Sequence, residues 1–139
     1  MNTIQFTAFG DPKGQPRPRA FHRGGMTRVY DPGTAEGWKG QIAVAARPHK
    51  PKTPIEGPIN VLLFFIFPRP KSHSTKKGLR DSAPDFHTSK PDSDNLAKAV
   101  LDCLTQLGFW KDDAQVCELQ IHKRYGTNGA CRITINIQP

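Results

Sequence analysis

Carboxylates are scarce in this chain of 139 residues, which has 12 Asp and Glu against 20 Lys and Arg. The net charge of +8 favours an anionic partner, either a nucleic acid or a membrane surface. Long apolar runs are also missing. No run approaches the roughly 18 residues of a membrane-spanning helix, and the N-terminus lacks the layout of a signal peptide. We therefore expect a cytoplasmic, nucleoid-associated protein that makes no membrane contact.

The sequence also lacks the paired cysteine and histidine motifs that commonly bind zinc. The three cysteines, Cys103, Cys117 and Cys131, form no C-x-x-C motif. We interpret them as reduced, buried thiols. The five histidines, at positions 22, 49, 73, 87 and 122, are scattered, and none lies four residues from another ligand type on a plausible helix. We predict that they occupy surface or loop positions, which disfavours a zinc site.

Hydrophobic periodicity predicts one α+β domain over residues 1–139. Strands are predicted at 3–9, 26–30, 60–67, 115–121 and 131–137, and helices at about 35–46 and 95–107. The interleaved order predicts a mixed or antiparallel sheet with the two main helices packed on it.

Two of these elements carry more specific predictions. Residues 60–67 are almost wholly apolar, which favours a strand buried on both faces. The Asn128-Gly129 pair predicts an antiparallel hairpin between the last two strands. Gly108 is expected to end the second helix as its C-cap.

Two polar segments are rich in basic residues and proline, at about 11–25 and 68–90. Neither has a hydrophobic period, and we predict loops, the second of them long and mobile. Their basic side chains favour contact with nucleic acid. The predicted DNA-binding residues are Lys13, Arg17, Arg19, Arg69, Lys71, Lys76, Lys77, Arg80 and Lys90.

Five of the twelve carboxylates lie between residues 92 and 113, within this otherwise basic chain. They are Asp92, Asp94, Asp102, Asp112 and Asp113. Acidic groups inside a positive field suit a divalent cation that sits beside a phosphate attracted by the surrounding cations. The first hypothesis is therefore a metal-dependent enzyme that acts on nucleic acid.

Each of these residues also has a purely structural interpretation. Asp94 would be the natural N-cap of the second helix. Asp92 would then repel it across one intervening residue unless a cation lay between them. Lys98 could form an ordinary ion pair with Asp94 or Asp102, or could balance charge on phosphate oxygens. Asp112 and Asp113 precede a strand, where Asp commonly forms turns.

The combination is more specific than its parts. Asp92-Ser93-Asp94-Asn95-Leu96-Ala97-Lys98, followed by Asp112-Asp113-Ala114-Gln115-Val116, resembles the RusA family of Holliday-junction resolvases, with its D-x-D-N-x-x-K pattern and D-D-x-Q-V strand start. The resemblance continues upstream in residues 13–19 and Lys90-Pro91, and downstream in residues 121–125. It covers nearly the whole chain.

The resemblance implies a role for each matching residue. Asp92, Asp94 and Asp113 match the metal-binding positions, Lys98 matches the catalytic lysine, and the role of Asp112 is left open. The family is a homodimeric, magnesium-dependent α+β endonuclease that cuts four-way DNA junctions at paired positions. Mn²⁺ is the alternative ion.

From this resemblance we expect a crossover junction endodeoxyribonuclease, a hydrolase of DNA recombination and DNA repair. Each subunit would supply one metal site, and the basic segments would grip the junction arms. The apolar strand and Leu101, which falls beside the polar stripe of its helix, hint at a surface for the second subunit.

Two other functions fit parts of the sequence. A basic nucleic-acid-binding module without catalysis would use Asp92, Asp94 and Asp113 only as caps and turns. A nuclease of the same chemistry could prefer flaps, replication forks or RNA, because branch geometry is read by the spacing of two sites in an assembly.

Overall fold

The computed structural model of the chain describes residues 2–15, 19–23, 26–30 and 36–139. In these ranges the strands are β1 (Asn2–Phe9), β2 (Arg19–Arg23), β3 (Met26–Tyr30), β4 (Ile59–Pro68), β5 (Ser74–Thr75), β6 (Gly78–Leu79), β7 (Val116–Gly126) and β8 (Ala130–Ile137). The α-helices are α1 (Glu36–Ala46) and α2 (Ser93–Leu107). The predicted α+β class is confirmed. None of the helices in these ranges is long and apolar enough to cross a bilayer.

The main sheet is mixed, with four strands in the order β1-β8-β4-β7. β8 pairs antiparallel with β1 and with β4, whereas β4 and β7 are parallel. The connection from β4 to β7 runs through α2, as a parallel pair requires. The mixed sheet predicted from the order of elements is therefore confirmed.

The predicted hairpin between the last two strands is wrong, because β4 lies between β7 and β8. Residues 127–129 cross this central strand, a span of about 10 Å. Gly129 allows the chain to pass close to the backbone of Gly10. Its carbonyl accepts a hydrogen bond from the Gly10 backbone at 3.0 Å, and a Cβ there would lie 2.6 Å from the Gly10 oxygen. The glycine of the Asn-Gly pair is thus needed for close packing against Gly10, and it does not form a hairpin turn.

Both helices pack on one face of the main sheet and bury the core there. Alternate β4 residues, among them Leu63 and Phe65, join Leu96 and Val100 of α2 in that core. The intervening β4 side chains are only half-buried, so the prediction of a strand buried on both faces is wrong. Leu101 is 9% exposed and belongs to the core, which removes it as a hint of a partner surface.

The cysteines follow the expectation only in part. Cys103 and Cys131 are buried, and burial raises the pKa of both thiols. Cys117 is exposed, contrary to the prediction. It lies on β7, an edge strand of the sheet, and no neighbouring strand in the described ranges covers its outer side there. All three thiols are free.

The segment at 68–90 has more structure than the predicted loop. It contains a 3₁₀ turn at Lys71–His73 and the β5–β6 pair. Arg69 anchors it by donating hydrogen bonds to the Pro84 carbonyl at 2.7 Å and to Asp85 at 3.3 Å. Residues 85–87 then pair with the outer edge of β7. Arg69, predicted to bind DNA, therefore has a structural role in this segment.

The basic segment at 11–25 is interrupted by β2, which pairs antiparallel with β3. The strand at 26–30 was predicted, whereas β2 was missed. Arg17 lies outside the described residues, and Arg19 is the first residue of β2.

Candidate active site

The N-terminus of α2 presents two of the predicted metal-binding residues. Asp92 occupies the N-cap position with an extended backbone, and its carbonyl accepts a hydrogen bond from the Leu96 backbone at 3.0 Å. Its carboxylate makes no capping hydrogen bond. Asp94 lies inside the first turn, so the prediction that Asp94 is the N-cap is wrong by two residues. Both carboxylates are exposed, and the helix dipole favours negative charge here.

The segment that precedes residue 16 packs directly against this helix start. The Gln15 backbone donates a hydrogen bond to the Asn95 carbonyl at 2.9 Å. A Cβ on Gly14 would lie 3.1 Å from both Pro91 and Asn95, so this glycine permits the approach. The packing forms a groove of about 440 Å³ that Lys13 and Lys90 line together. Two predicted DNA-binding lysines are therefore close to the start of the helix that carries the two carboxylates.

Lys123 of β7 lies close enough to Asp92 to feel its charge, and the sequence motif does not include this lysine. Its ammonium donates a hydrogen bond to the Ser89 carbonyl at 2.8 Å. Burial lowers the pKa of Lys123, and the negative charge of Asp92 acts in the opposite direction. Lys123 faces the helices in alternation with Ile121 and Tyr125, and this period-2 pattern was the signal that could have found it.

His87 lies in a loop, as predicted, but its side chain is buried. Its ring stacks on Phe67 with centroids 3.8 Å apart. Burial, and then the charge of Lys123, lower the pKa of His87 below its usual value, so the ring stays neutral near pH 7. The stack fixes the segment that leads into Asp92. No local pattern in the sequence marks this histidine.

Lys98 lies one helical turn after Asp94, as the spacing predicted. Its ammonium is 3.6 Å from the Asp102 carboxylate, and 61% of its side chain is exposed. An exposed ion pair of this kind contributes little to stability. The contact therefore leaves the lysine able to meet an incoming anion.

Asp112 and Asp113 lie at the other end of α2 and differ from each other. Asp112 caps the 3₁₀ turn at Asp113–Gln115, where its carboxylate accepts a hydrogen bond from the Ala114 backbone at 2.9 Å. The Gln115 side chain completes a capping box and also donates to the Ile55 carbonyl at 2.9 Å. The turn-former interpretation is thus confirmed for Asp112. The half-exposed Asp113 carboxylate lies outside this cap.

A single chain does not bring Asp113 to Asp92 and Asp94. Asp113 precedes the start of β7 at Val116, whereas Asp92 interacts with Lys123. Those two β7 positions are seven residues apart, or about 23 Å at the usual rise of a strand. In the part of the chain that the structure describes, no three His, Cys, Asp or Glu residues lie close enough to hold a metal ion. One chain alone therefore does not assemble the predicted three-carboxylate site.

The remaining predicted DNA-binding residues are spread over the 68–90 segment. Lys71, Lys76, Lys77 and Arg80 are all exposed. Arg80 also donates a hydrogen bond to the Ser72 carbonyl at 2.9 Å, which steadies the segment around β5 and β6. Their contact with DNA stays a prediction.

The fold and the site together define an α+β protein with an exposed carboxylate pair among lysines, a setting suited to phosphate chemistry. The chain belongs to the endodeoxyribonuclease RusA family, whose model matches residues 10–138. Membership in this family supports endodeoxyribonuclease activity.

Comparison with individual proteins gives relatives of two kinds. The chain is 36% identical over 138 residues to the Bacillus subtilis (strain 168) protein named "Uncharacterized protein YqaN", a match that covers 97% of this chain and 96% of that protein. It is 53% identical over 38 residues to the crossover junction endodeoxyribonuclease RusA of Escherichia coli (strain K12), and equally to that of Enterobacteria phage 82. Each of these shorter matches covers 27% of this chain and 32% of the relative.

Proposed function

We propose that this protein is a metal-dependent, structure-specific endodeoxyribonuclease that resolves four-way DNA junctions by paired cleavage. The observation that carries the proposal is the exposed Asp92 and Asp94 pair at the start of α2, with Lys13, Lys90 and Lys123 around it. A module that only bound DNA would gain nothing from carboxylates beside its phosphate-binding surface. The named activity of the Escherichia coli relative supports the choice of junction substrate.

The donor set at the helix start fits Mg²⁺, with Mn²⁺ as the alternative ion. Mg²⁺ prefers oxygen ligands and is commonly held by one or two carboxylates together with substrate phosphate. Asp92 and Asp94 supply two such carboxylates, and the lysines draw the phosphate toward them. When bound, the ion would act as a Lewis acid toward the scissile phosphate and activate the attacking water.

Asp113 reaches such a site only from a second copy of the chain, and the edge of β7 offers a way to bring it there. Among the described residues, the outer edge of β7 is paired only near its end, where residues 85–87 contact positions 123–125. The earlier half of that edge exposes Leu119. If residues 116–122 of two copies paired antiparallel about a two-fold axis at Leu119, residue 116 of one copy would lie opposite His122 of the other, next to Lys123.

This pairing would place Asp113 of each copy next to Asp92 and Asp94 of its partner. The homodimer would then hold two complete sites related by symmetry. Two identical sites match the near two-fold symmetry of a four-way junction, which allows paired cuts without rebinding. An enzyme of this kind would work at the nucleoid, in DNA recombination and repair.

Lys98 is expected to act on the developing charge of the phosphate more than on bound DNA. Replacing Lys98 by Ala should lower the single-turnover cleavage rate by about a hundredfold while changing the dissociation constant little, because the charge acts mainly in the transition state. Lys98→Arg should recover part of the rate. Lys52→Ala, which removes an exposed charge elsewhere, is the control. Unchanged cleavage by Lys98→Ala at saturating enzyme would remove the lysine from the chemistry.

The proposed activity is tested with a labelled four-way junction and a linear duplex of the same sequence, each with Mg²⁺ and with a chelator. Paired cuts in the junction alone, and only with the metal, are expected. Binding to both substrates without cleavage would identify a nucleic-acid-binding module instead. Flap, fork and RNA substrates in the same assay show whether the junction is preferred.

A further inference from the structure

The face of the main sheet that lies opposite the two helices carries aromatic and cationic side chains. The half-buried β4 residues Leu62, Phe64 and Ile66 form its middle row. Their register partners include Arg132 on β8, opposite Phe64, and Arg124 on β7, opposite Ile66. In the described ranges, both α-helices contact the other face. We call this surface the open face.

A pocket of about 790 Å³ lies on the open face near the end of β4. Phe9, Phe64 and Ile66 supply its apolar wall, and Arg124 and Arg132 line it with positive charge. Phe9 is 68% exposed although it is large and apolar. A volume of this size is within the usual range for a small-molecule ligand.

The arginines keep most of their hydrogen-bond donors available, although one N–H of Arg124 donates to the Lys123 carbonyl at 3.4 Å. The Arg124 guanidinium lies 4.0 Å from the centre of the Phe86 ring, and that of Arg132 lies 5.4 Å from the centre of the Phe64 ring. A guanidinium that stacks on a ring keeps its N–H groups at the edge, where they can meet a phosphate. The pocket carboxylate, Asp85, is already paired with Arg69 at 3.3 Å.

We propose that this pocket holds an unpaired nucleotide of the DNA substrate. Its base stacks on Phe9 and Phe64, and its phosphate contacts Arg124 and Arg132. Aromatic side chains beside cations are what single-stranded nucleic acids bind, because every base has a face that can stack. This inference rests on the proposed function, which supplies the DNA.

The position of the pocket relative to the candidate active site supports this assignment. Ile66 lines the pocket, and Phe67, the next residue on β4, lines the groove of Lys13 and Lys90 on the opposite face. Successive strand residues point to opposite faces, so the two sites lie back to back at the same end of the sheet. One DNA strand that passes over this end could occupy both of them.

Charge distinguishes a nucleotide from the other occupant that such a face could take, a second copy of the chain. A two-fold sheet-to-sheet contact would bring Arg124 and Arg132 of one copy toward the same residues of the other. Like charges that face each other across an interface are unfavourable. A nucleic acid strand has the complementary charge.

The test is the binding of a short single-stranded oligonucleotide that carries one fluorescent base, measured with a chelator present so that no cleavage occurs. Phe9→Ala should weaken binding by about tenfold because a stacking partner is lost. Arg132→Gln should reduce the slope of log affinity against log salt by about 0.7, the value for one phosphate contact on a single strand. Val44→Ala and Arg47→Gln, both exposed and on the side of α1, are the matched controls.

Equal oligonucleotide affinities for Phe9→Ala and Val44→Ala would overturn the inference. Loss of self-association in Phe9→Ala would overturn it as well, and would assign the open face to contact between copies. Failure of the proposed function gives a different result. If Phe9→Ala weakens oligonucleotide binding but the wild type cuts no junction, the nucleotide site stands without the nuclease activity.

Discussion

Asp94→Asn is expected to reduce cleavage of a four-way junction by on the order of a hundredfold or more, with junction binding unchanged or slightly tighter. Groups that only support a metal ligand already contribute about 10- to 100-fold to metal affinity or activity, so the loss of a ligand should cost at least as much. Asparagine keeps the size of the side chain and removes its charge. A less negative site also repels phosphate less. Single-turnover cleavage with Mg²⁺ and binding with a chelator measure the two effects separately.

The control for Asp94→Asn is Glu36→Gln, which removes a carboxylate from the first turn of the other helix. Both changes remove a charge that favours a helix N-terminus, so they should lower stability by a similar small amount, about 0.3–1 kcal/mol. Only Asp94→Asn should affect cleavage. Wild-type rates in Asp94→Asn would leave Asp94 with a role in the helix alone.

The elements of the fold could be predicted where a local pattern determines them. The 3.6-residue period and Gly108, whose φ of 90° suits a glycine C-cap, located α2 to within two residues. The pairing of strands was harder to predict from the sequence. β7 and β8 adjoin in the sequence, but the apolar β4 pairs with both and separates them. Which strands become neighbours depends on contacts between distant residues, and the Asn128-Gly129 signal does not report them.

The candidate site likewise contains residues whose positions a local pattern predicts and residues whose positions depend on distant contacts. Asp92, Asp94 and Lys98 lie within two turns of one helix, so their spacing alone predicts that they are close together. Lys123 approaches Asp92, and His87 approaches Lys123, because residues 85–87 pair with the far end of β7. That contact follows from sheet topology. The resemblance to the RusA family grouped Asp113 with the aspartate pair, although a single chain separates them by the length of α2, about 22 Å.

The distance between Asp113 and the pair Asp92 and Asp94 leads to a second prediction with a large expected effect. It uses two variants that are each expected to be inactive. Asp94→Asn and Asp113→Asn, mixed and allowed to exchange subunits, should regain cleavage. If each site takes Asp94 from one copy and Asp113 from the other, a mixed dimer places both defects in one site and leaves the second site intact. With random exchange about half of the dimers are mixed, so about a quarter of all sites should be active.

The products of the mixed sample should also differ from those of the wild type. A dimer with one working site cuts one strand, so junctions should be nicked instead of resolved into linear duplexes. Mixing Asp94→Asn with Asp92→Asn is the matched control, because both residues belong to the same half of a shared site and every mixed dimer keeps a defect in each site. Sedimentation verifies that the variants are dimers. If dimeric Asp94→Asn and Asp113→Asn stay inactive together, Asp113 does not act across the subunits, and the metal site belongs to Asp92 and Asp94 of a single chain.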